Sequence, residues 1–190
     1  MTELTLEEQE SLSQEMNAIG PETGKFLNLL LKTQGGQRIL ELGTSFGYST
    51  IYLAEAARAN SGHVTTLEYD VAKQAQASAY IHQSGLQAVV DFQLGDATKL
   101  LDVLPGPWDF VLLDVWKHLY FPCFDRVYEK LAPGAIIIAD NVIFPPEFRQ
   151  EMQAYQAYVR AKSDLDSIEV GIGHSLEATR KHQAALSHRL

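Results

Sequence analysis

The sequence predicts an α/β fold: a doubly wound, mostly parallel sheet with helices on both faces and an antiparallel pair of strands at its end. Three observations predict it. From Arg38 onward short apolar runs alternate with helical segments. Most of these runs are apolar on both faces, as strands covered from above and below must be. The last two runs are separated by a connection too short to hold a crossover helix.

Apolar residues over 4–16 recur at helical spacing, and Thr5 with Glu8 forms an S/T-x-x-E capping box, so an amphipathic first helix with a solvated acidic face is expected. A second helix should begin near Pro21, a favoured first-turn residue. It would carry Phe26, Leu27, Leu30 and Leu31 inward and stop at Gly35 and Gly36. The alternating series then runs RILEL with a helix over 45–59, HVTTLE with 71–84, VVDFQL with 97–104, FVLLD with 120–131 and AIIIAD with 146–162. Trp108 anchors the start of the fourth strand. SIEVGIG and HSLEATRK, joined around Gly171 and Gly173, must pair antiparallel, because a parallel return needs about a dozen residues or more. No repeat, low-complexity stretch or linker interrupts the chain. A single domain over 1–190 is expected, with N-terminal helices to residue 36, a core over 37–181 and a tail over 182–190.

Composition narrows the function. A chain of 190 residues, 46% of them hydrophobic, can fill one continuous core. A formal charge of −9 argues against a surface that neutralises phosphate backbones, so nucleic acid is not an expected partner. Cys123 is the only cysteine, which excludes an internal disulfide and a thiolate metal cluster and fits a reducing cytoplasm. The acidic opening MTELTLEEQE lacks an apolar signal region, and no apolar run nears the roughly 18 residues of a membrane span. A soluble, cytoplasmic protein without a membrane partner is expected.

Two constellations carry chemistry. The first, ILELGTSFGYS, reads E-x-G-x-x-x-G at a strand end and helix start. There Gly43 and Gly47 allow a sharp turn and close approach to a ligand. A dinucleotide site needs G-x-G-x-x-G, but Ser45 replaces the middle glycine and Glu41 would repel a pyrophosphate while attracting an ammonium group. Glu68, after the second strand, stands where doubly wound folds place an acid against a ribose diol. Gly95 and Asp96, after the third, could reach an adenine amine. The second constellation is Asp114 and Lys117 after the fourth strand with Asp140 and Asn141 after the fifth. Adjacent strand ends bring them together, and their oxygens form a donor set for Mg²⁺, Ca²⁺ or Mn²⁺ rather than zinc. The alternative for Asp140 and Asn141 is an Asx turn or helix cap, and for Asp114 a simple strand end.

In order, ILELGTSFGYS, TLEYD, LGDA, LLDVWKHLY and IADNVIFP resemble the motifs of class I S-adenosylmethionine-dependent methyltransferases. The likeness is to the metal-dependent catechol and caffeoyl-CoA O-methyltransferase family, and it covers roughly residues 19–181. It implies a Rossmann-like seven-stranded sheet in the order 3-2-1-4-5-7-6 and an O-methyltransferase acting on a small aromatic vicinal diol with S-adenosylmethionine and Mg²⁺ or another hard divalent cation. By this resemblance Glu41 binds the methionine ammonium, while Gly43, Tyr48 and Ser49 line the methionine end, with Ser45 in the same turn. Glu68 holds the ribose, Gly95, Asp96 and Ala97 lie near the adenine, and Trp116 packs against it. Asp114, Asp140 and Asn141 hold the metal, Asp114 also bordering the cofactor, and Lys117 is the general base. The family includes monomers and dimers.

The chain departs from the pattern in two places. Val115 stands where the catechol enzyme has a cofactor-contacting histidine. The late glutamate that orients the second hydroxyl has no clear counterpart: Glu169 and Glu177 are candidates, whereas the glycine turn aligns that position with Ile168. Phe144, Pro145 and Pro146 are a candidate apolar wall or an ordinary helix start. Of the histidines, only His118 is expected near the site; His174 is expected to flank a strand. Two other readings remain open: a metal-independent small-molecule methyltransferase, and a non-catalytic nucleoside-binding module of the same fold.

Overall fold

The computed structural model describes residues 19–183. The capping box and first helix expected over 4–16 lie outside the described residues. Helix α1 (Pro21–Gln34) starts on its proline and ends at Gly35. Among the described residues seven strands form one sheet: β1 (Arg38–Leu42), β2 (His63–Glu68), β3 (Val90–Leu94), β4 (Trp108–Leu113), β5 (Leu131–Ala139), β6 (Leu165–Val170) and β7 (Leu176–Lys181). Their order is β3-β2-β1-β4-β5-β7-β6. The first five are parallel, and β7 runs antiparallel to both of its neighbours, β5 and β6. Helices α2 (Tyr48–Ala59), α3 (Val71–Gln83), α4 (Ala97–Val103), α5 (Tyr120–Tyr128) and α6 (Arg149–Arg160) are the other α-helices among the described residues.

The two-residue period of the strands sorts side chains into two cores. Leu40, Leu42, Val111, Leu113, Ile137 and Ala139 face α4, α5 and α6, meeting Leu101, Phe124 and Tyr155. Ile39, Phe110, Leu112 and Ile138 take the other face, toward Leu27 and Leu31 of α1 and Leu53 of α2. Glu41 follows the Ile39 phase, so its carboxylate is sent toward the start of α2 instead of into solvent.

Several boundaries differ from expectation. β4 begins at Trp108, as expected, whereas β5 begins early, at Leu131, because these two residues pair ahead of a bulge that precedes Phe110↔Ile136. The helix expected over 146–162 starts as a single tight turn over Pro146–Phe148 before α6, and α2 begins only after the glycine turn, at Tyr48. No described helix is long and apolar enough to cross a membrane.

Topology creates the crevice. The chain builds β2 and β3 on one side of β1 and then returns to the other side for β4, so connections leave the β1 and β4 carboxyl ends in opposite directions. Sheet hydrogen bonding also runs one step past the strands. The Asp114 amide donates to Leu42 O at 2.9 Å and the Asp140 amide to Leu113 O at 3.0 Å. Asp114 and Asp140 are thereby held side by side at the edge of the crevice.

Candidate active site

The turn after β1 is shaped by its own packing. Gly43 has φ +98°, and a Cβ there would run into the carbonyl oxygen of Asp114, so only glycine lets β1 and β4 end this close together. At Gly47 a Cβ would sit 3.0 Å from the Ala77 methyl of α3. Close approach between protein segments therefore explains both glycines that the sequence suggested for approach to a ligand.

Glu41 is completely buried. Its Oε1 accepts from the Ser49 hydroxyl at 2.6 Å, and its Oε2 from Thr50 and Thr66, each at 2.6 Å. Ser49 and Thr50 come from the first turns of α2, and Thr66 is the residue paired with Glu41 across β1 and β2. Burial pushes the carboxyl pKa up to about 7 against the pull of these three hydroxyls, with Asp114 adding repulsion. These bonds fill three of the roughly four acceptor positions of the carboxylate, and the position left is on Oε1.

The second constellation comes together at the ends of β4 and β5. Asp140, Asn141 and Lys117 are buried. Burial raises both aspartate pKa values; Asp114 repels Asp140, and a hydrogen bond from the Asn141 side chain partly relieves Asp114. Lys117 enters on a single tight turn over Lys117–Leu119. Burial lowers its pKa to about 8 although Asp114 and Asp140 pull the other way. Its Nζ donates to the Tyr120 hydroxyl at 2.7 Å and reaches Asp140 O at 3.2 Å. Asn141 has φ +54°, a left-handed conformation that asparagine tolerates. Its own amide donates to Asp140 Oδ1 at 2.8 Å, so this pair forms a tight local contact and not a helix cap.

Among the described residues no three His, Cys, Asp or Glu side chains cluster as a metal site. The set at these strand ends is two carboxyls and one carboxamide. Mg²⁺ takes one or two carboxylates and completes its shell with water, so the donor chemistry fits a hard divalent cation and suits zinc poorly.

The nucleoside candidates line the ends of β2, β3 and β4. Glu68 accepts Ser45 N–H at 2.7 Å and the Tyr69 and Asp70 amides at 2.9 Å each. These bonds use three of the roughly four acceptor positions of a carboxylate and fix its orientation. Gly95 donates its amide to Glu68 O at 2.8 Å. Asp96 caps α4, accepting the Thr98 amide at 2.8 Å and its hydroxyl at 2.6 Å, and the Thr98 bond holds its carboxyl below the usual range. Ala97 opens α4, and Trp116, half-buried, precedes the Lys117 turn. Tyr48 is exposed and packs edge-on against Tyr52, ring centroids 5.5 Å apart.

The late glutamates have structural work. Glu177 accepts from Arg160 Nε at 2.7 Å and Nη2 at 2.6 Å, from Ser167 at 2.6 Å and from Gln156 at 2.9 Å, pinning α6 to β7. Glu169 accepts from Ser175 at 2.7 Å and Gln156 at 3.1 Å. Ile168 is 66% exposed on the edge strand. His174, expected only to flank a strand, also lies beside the site. Its Nδ1 lies 3.2 Å from Asn141 Oδ1 and its ring stacks on Phe144 with centroids 4.4 Å apart. Pairing of Val142 N–H with Ser175 O and of Ile143 N–H with His174 O zips the two loops together. No sequence spacing signals that contact. Thr66 did carry a signal, as a polar residue in the phase of buried Val64 and across the sheet from Glu41.

A model of the O-methyltransferase family matches residues 1–167. The chain belongs to the O-methyltransferase family. It is 40% identical over 133 residues to the catechol O-methyltransferase of Niastella koreensis, an alignment covering 66% of this chain and 58% of that protein. Two solved O-methyltransferases share its fold at 26% identity and a TM-score of 0.79. TomG of Streptomyces achromogenes, in complex with SAM, matches 87% of this chain and 82% of its own. The Bacillus cereus enzyme, in complex with SAH, matches 91% and 87%. The chain spans about three fifths of the length of the curated O-methyltransferases it matches.

Proposed function

We propose that this protein transfers the methyl group of S-adenosylmethionine to a hydroxyl of a small aromatic vicinal diol, with a hard divalent cation at Asp114, Asp140 and Asn141 and Lys117 as general base. Charge balance carries the reading. Two buried carboxyls, Glu41 and Asp140, and the half-buried Asp114 stand at adjoining strand ends against one buried amine, and desolvation raises all three pKa values. Such a site is short of positive charge, and a divalent cation with a cationic methyl donor supplies it. The SAM and SAH complexes of family members support the donor, and the name of the 40% identical relative supports the acceptor class.

S-adenosylmethionine supplies a sulfonium methyl as the electrophile. A divalent cation, when bound, eases proton loss from an acceptor hydroxyl. Asp114, Asp140 and Asn141 would hold it, and Lys117 removes the proton. With a pKa near 8, about a tenth of this amine is neutral at pH 7. The freed oxygen pair forms the C–O bond while the C–S pair stays on sulfur. Glu68, Gly95, Asp96, Ala97 and Trp116 would hold the nucleoside, and Glu41, Gly43, Ser45, Tyr48, Ser49 and Asp114 the amino acid end. Fixing the reactants near attack distance supplies up to about 7–11 kcal/mol of the rate effect.

The test is transfer of labelled methyl from S-adenosylmethionine to a panel of vicinal diphenols, with Mg²⁺ and with EDTA. Transfer that EDTA abolishes is expected, together with a Lys117→Ala variant that turns over slowly and still binds cofactor. No transfer to any such acceptor sinks the proposal. Transfer unaffected by EDTA and by Asp140→Ala would instead favour metal-independent chemistry in the same fold.

A further inference from the structure

We infer that Tyr120 is the positioning residue that aims the Lys117 amine, an inference that rests on the lysine-base reading above. The phenol has one proton, and its oxygen lies 2.6 Å from the carbonyl oxygen of Asp140. A carbonyl can only accept, so the proton points there. Toward Lys117 Nζ, 2.7 Å away, the phenol oxygen is therefore the acceptor. A second N–H of Nζ reaches the same Asp140 carbonyl at 3.2 Å. The two acceptor oxygens lie close together on one side of Nζ, and the two N–H groups of a neutral amine turn toward that side. Tetrahedral geometry then leaves the lone pair directed away from Tyr120 and Asp140. In the ammonium form the third N–H takes that same direction. One fixed vector thus serves to receive the proton and to release it.

The aim is rigid because the phenol is held from behind. Tyr120 is fully buried, and its ring stands edge-on to Tyr155 with centroids 5.4 Å apart. The Lys117 ammonium lies 4.4 Å from the centre of the Tyr120 ring. Without the phenol oxygen, only the longer bond to Asp140 O would restrain rotation of Nζ about its last bond, and the lone pair would face an acceptor hydroxyl only part of the time.

Tyr120→Phe deletes this oxygen and keeps the ring. At saturating acceptor kcat should fall about 10- to 100-fold, with acceptor KM and cofactor Kd within about 3-fold of the parent. In a Lys117→Met background the same change should cost less than about 2-fold, since no amine remains to be aimed. A kcat within about 2-fold of the parent, or an equal loss in both backgrounds, overturns the inference in favour of a packing role. If Lys117→Met itself turns over normally, the base reading fails and this inference falls with it. If Lys117→Met is slow but Tyr120→Phe is not, only the inference fails. A second measurement needs no turnover: proton–nitrogen NMR of protein labelled at lysine Nζ. A protected Lys117 resonance should be present in the parent and lost in Tyr120→Phe; its absence from the parent, or its persistence unchanged in the variant, overturns the inference.

Discussion

Replacing Glu41 by Gln removes a charge that folding would otherwise have to bury. The carboxyl is fully enclosed, its partners are three hydroxyls and no cation, and its pKa rises from 4.5 to about 7. That rise of about 2.5 pH units, at about 1.4 kcal/mol each, corresponds to about 3 kcal/mol of stability. Below about pH 4.5 the group is protonated in folded and unfolded chains alike and costs nothing. Between pH 4.5 and 7 the unfolded chain ionises while the folded one does not, so stability drains away, and above about pH 7 the full cost stands. The side chain in Glu41→Gln never ionises. Its amide adds a constant offset of about 1 kcal/mol from rearranged hydroxyls, independent of pH. Urea denaturation of both proteins from about pH 4 to about pH 8 reads the effect. The variant should gain about 3 kcal/mol on the parent across that range. Asp114 and Asp140 titrate in both proteins, so the difference reports Glu41 together with its repulsion from Asp114. A difference that stays flat with pH would refute the reasoning.

Gly43→Ala should destabilise the fold by about 2–5 kcal/mol in urea titration, or prevent soluble expression, because it combines left-handed strain with a clash against Asp114 O. Glu177→Ala should cost about 2–4 kcal/mol by the same measurement, since it leaves Arg160, Ser167 and Gln156 without their shared acceptor; a loss of acceptor affinity at unchanged stability would make Glu177 a substrate residue instead. His174→Ala should raise acceptor KM about 3- to 10-fold in steady-state assays with little change in melting temperature, because it removes the stack on Phe144 and the bond to Asn141.

The sheet was legible because its evidence is local and repeated. Each apolar run could be recognised by itself, and the short 171–173 connection forced the antiparallel pair. The start of β5 was harder to place, since Leu131 pairs with Trp108 ahead of a bulge that leaves no periodic trace. Within the site, Glu41, Asp114, Lys117, Asp140 and Asn141 could be read because they end consecutive apolar runs, and topology alone gathers strand ends. His174 escaped for the opposite reason. It reaches Asn141 through loop-to-loop pairing across 33 residues, and that contact depends on how β7 returns beside β5. The hydroxyls around Glu41 lie between these cases: Thr66 is visible from strand phase, Ser49 and Thr50 only once α2 is docked.

Asp114 joins the two halves of the site. Its charge raises the pKa of Glu41 on one side and of Asp140 on the other, although neither accepts a hydrogen bond from it. Any cation that settles on Asp114 therefore makes ionisation easier at both neighbours. Glu41, poised near pH 7, would then carry a fuller charge for an ammonium group beside it. Binding at one half and binding at the other become linked through a shared carboxylate, and linkage of this kind is reciprocal. The same linkage ties ligands to folding. A ligand that restores positive charge recovers stability lost by burying the carboxyls, as any ligand selective for the folded state must. The charge deficit that weakens the unliganded fold is thus the same quantity on which the proposed cationic methyl donor would draw.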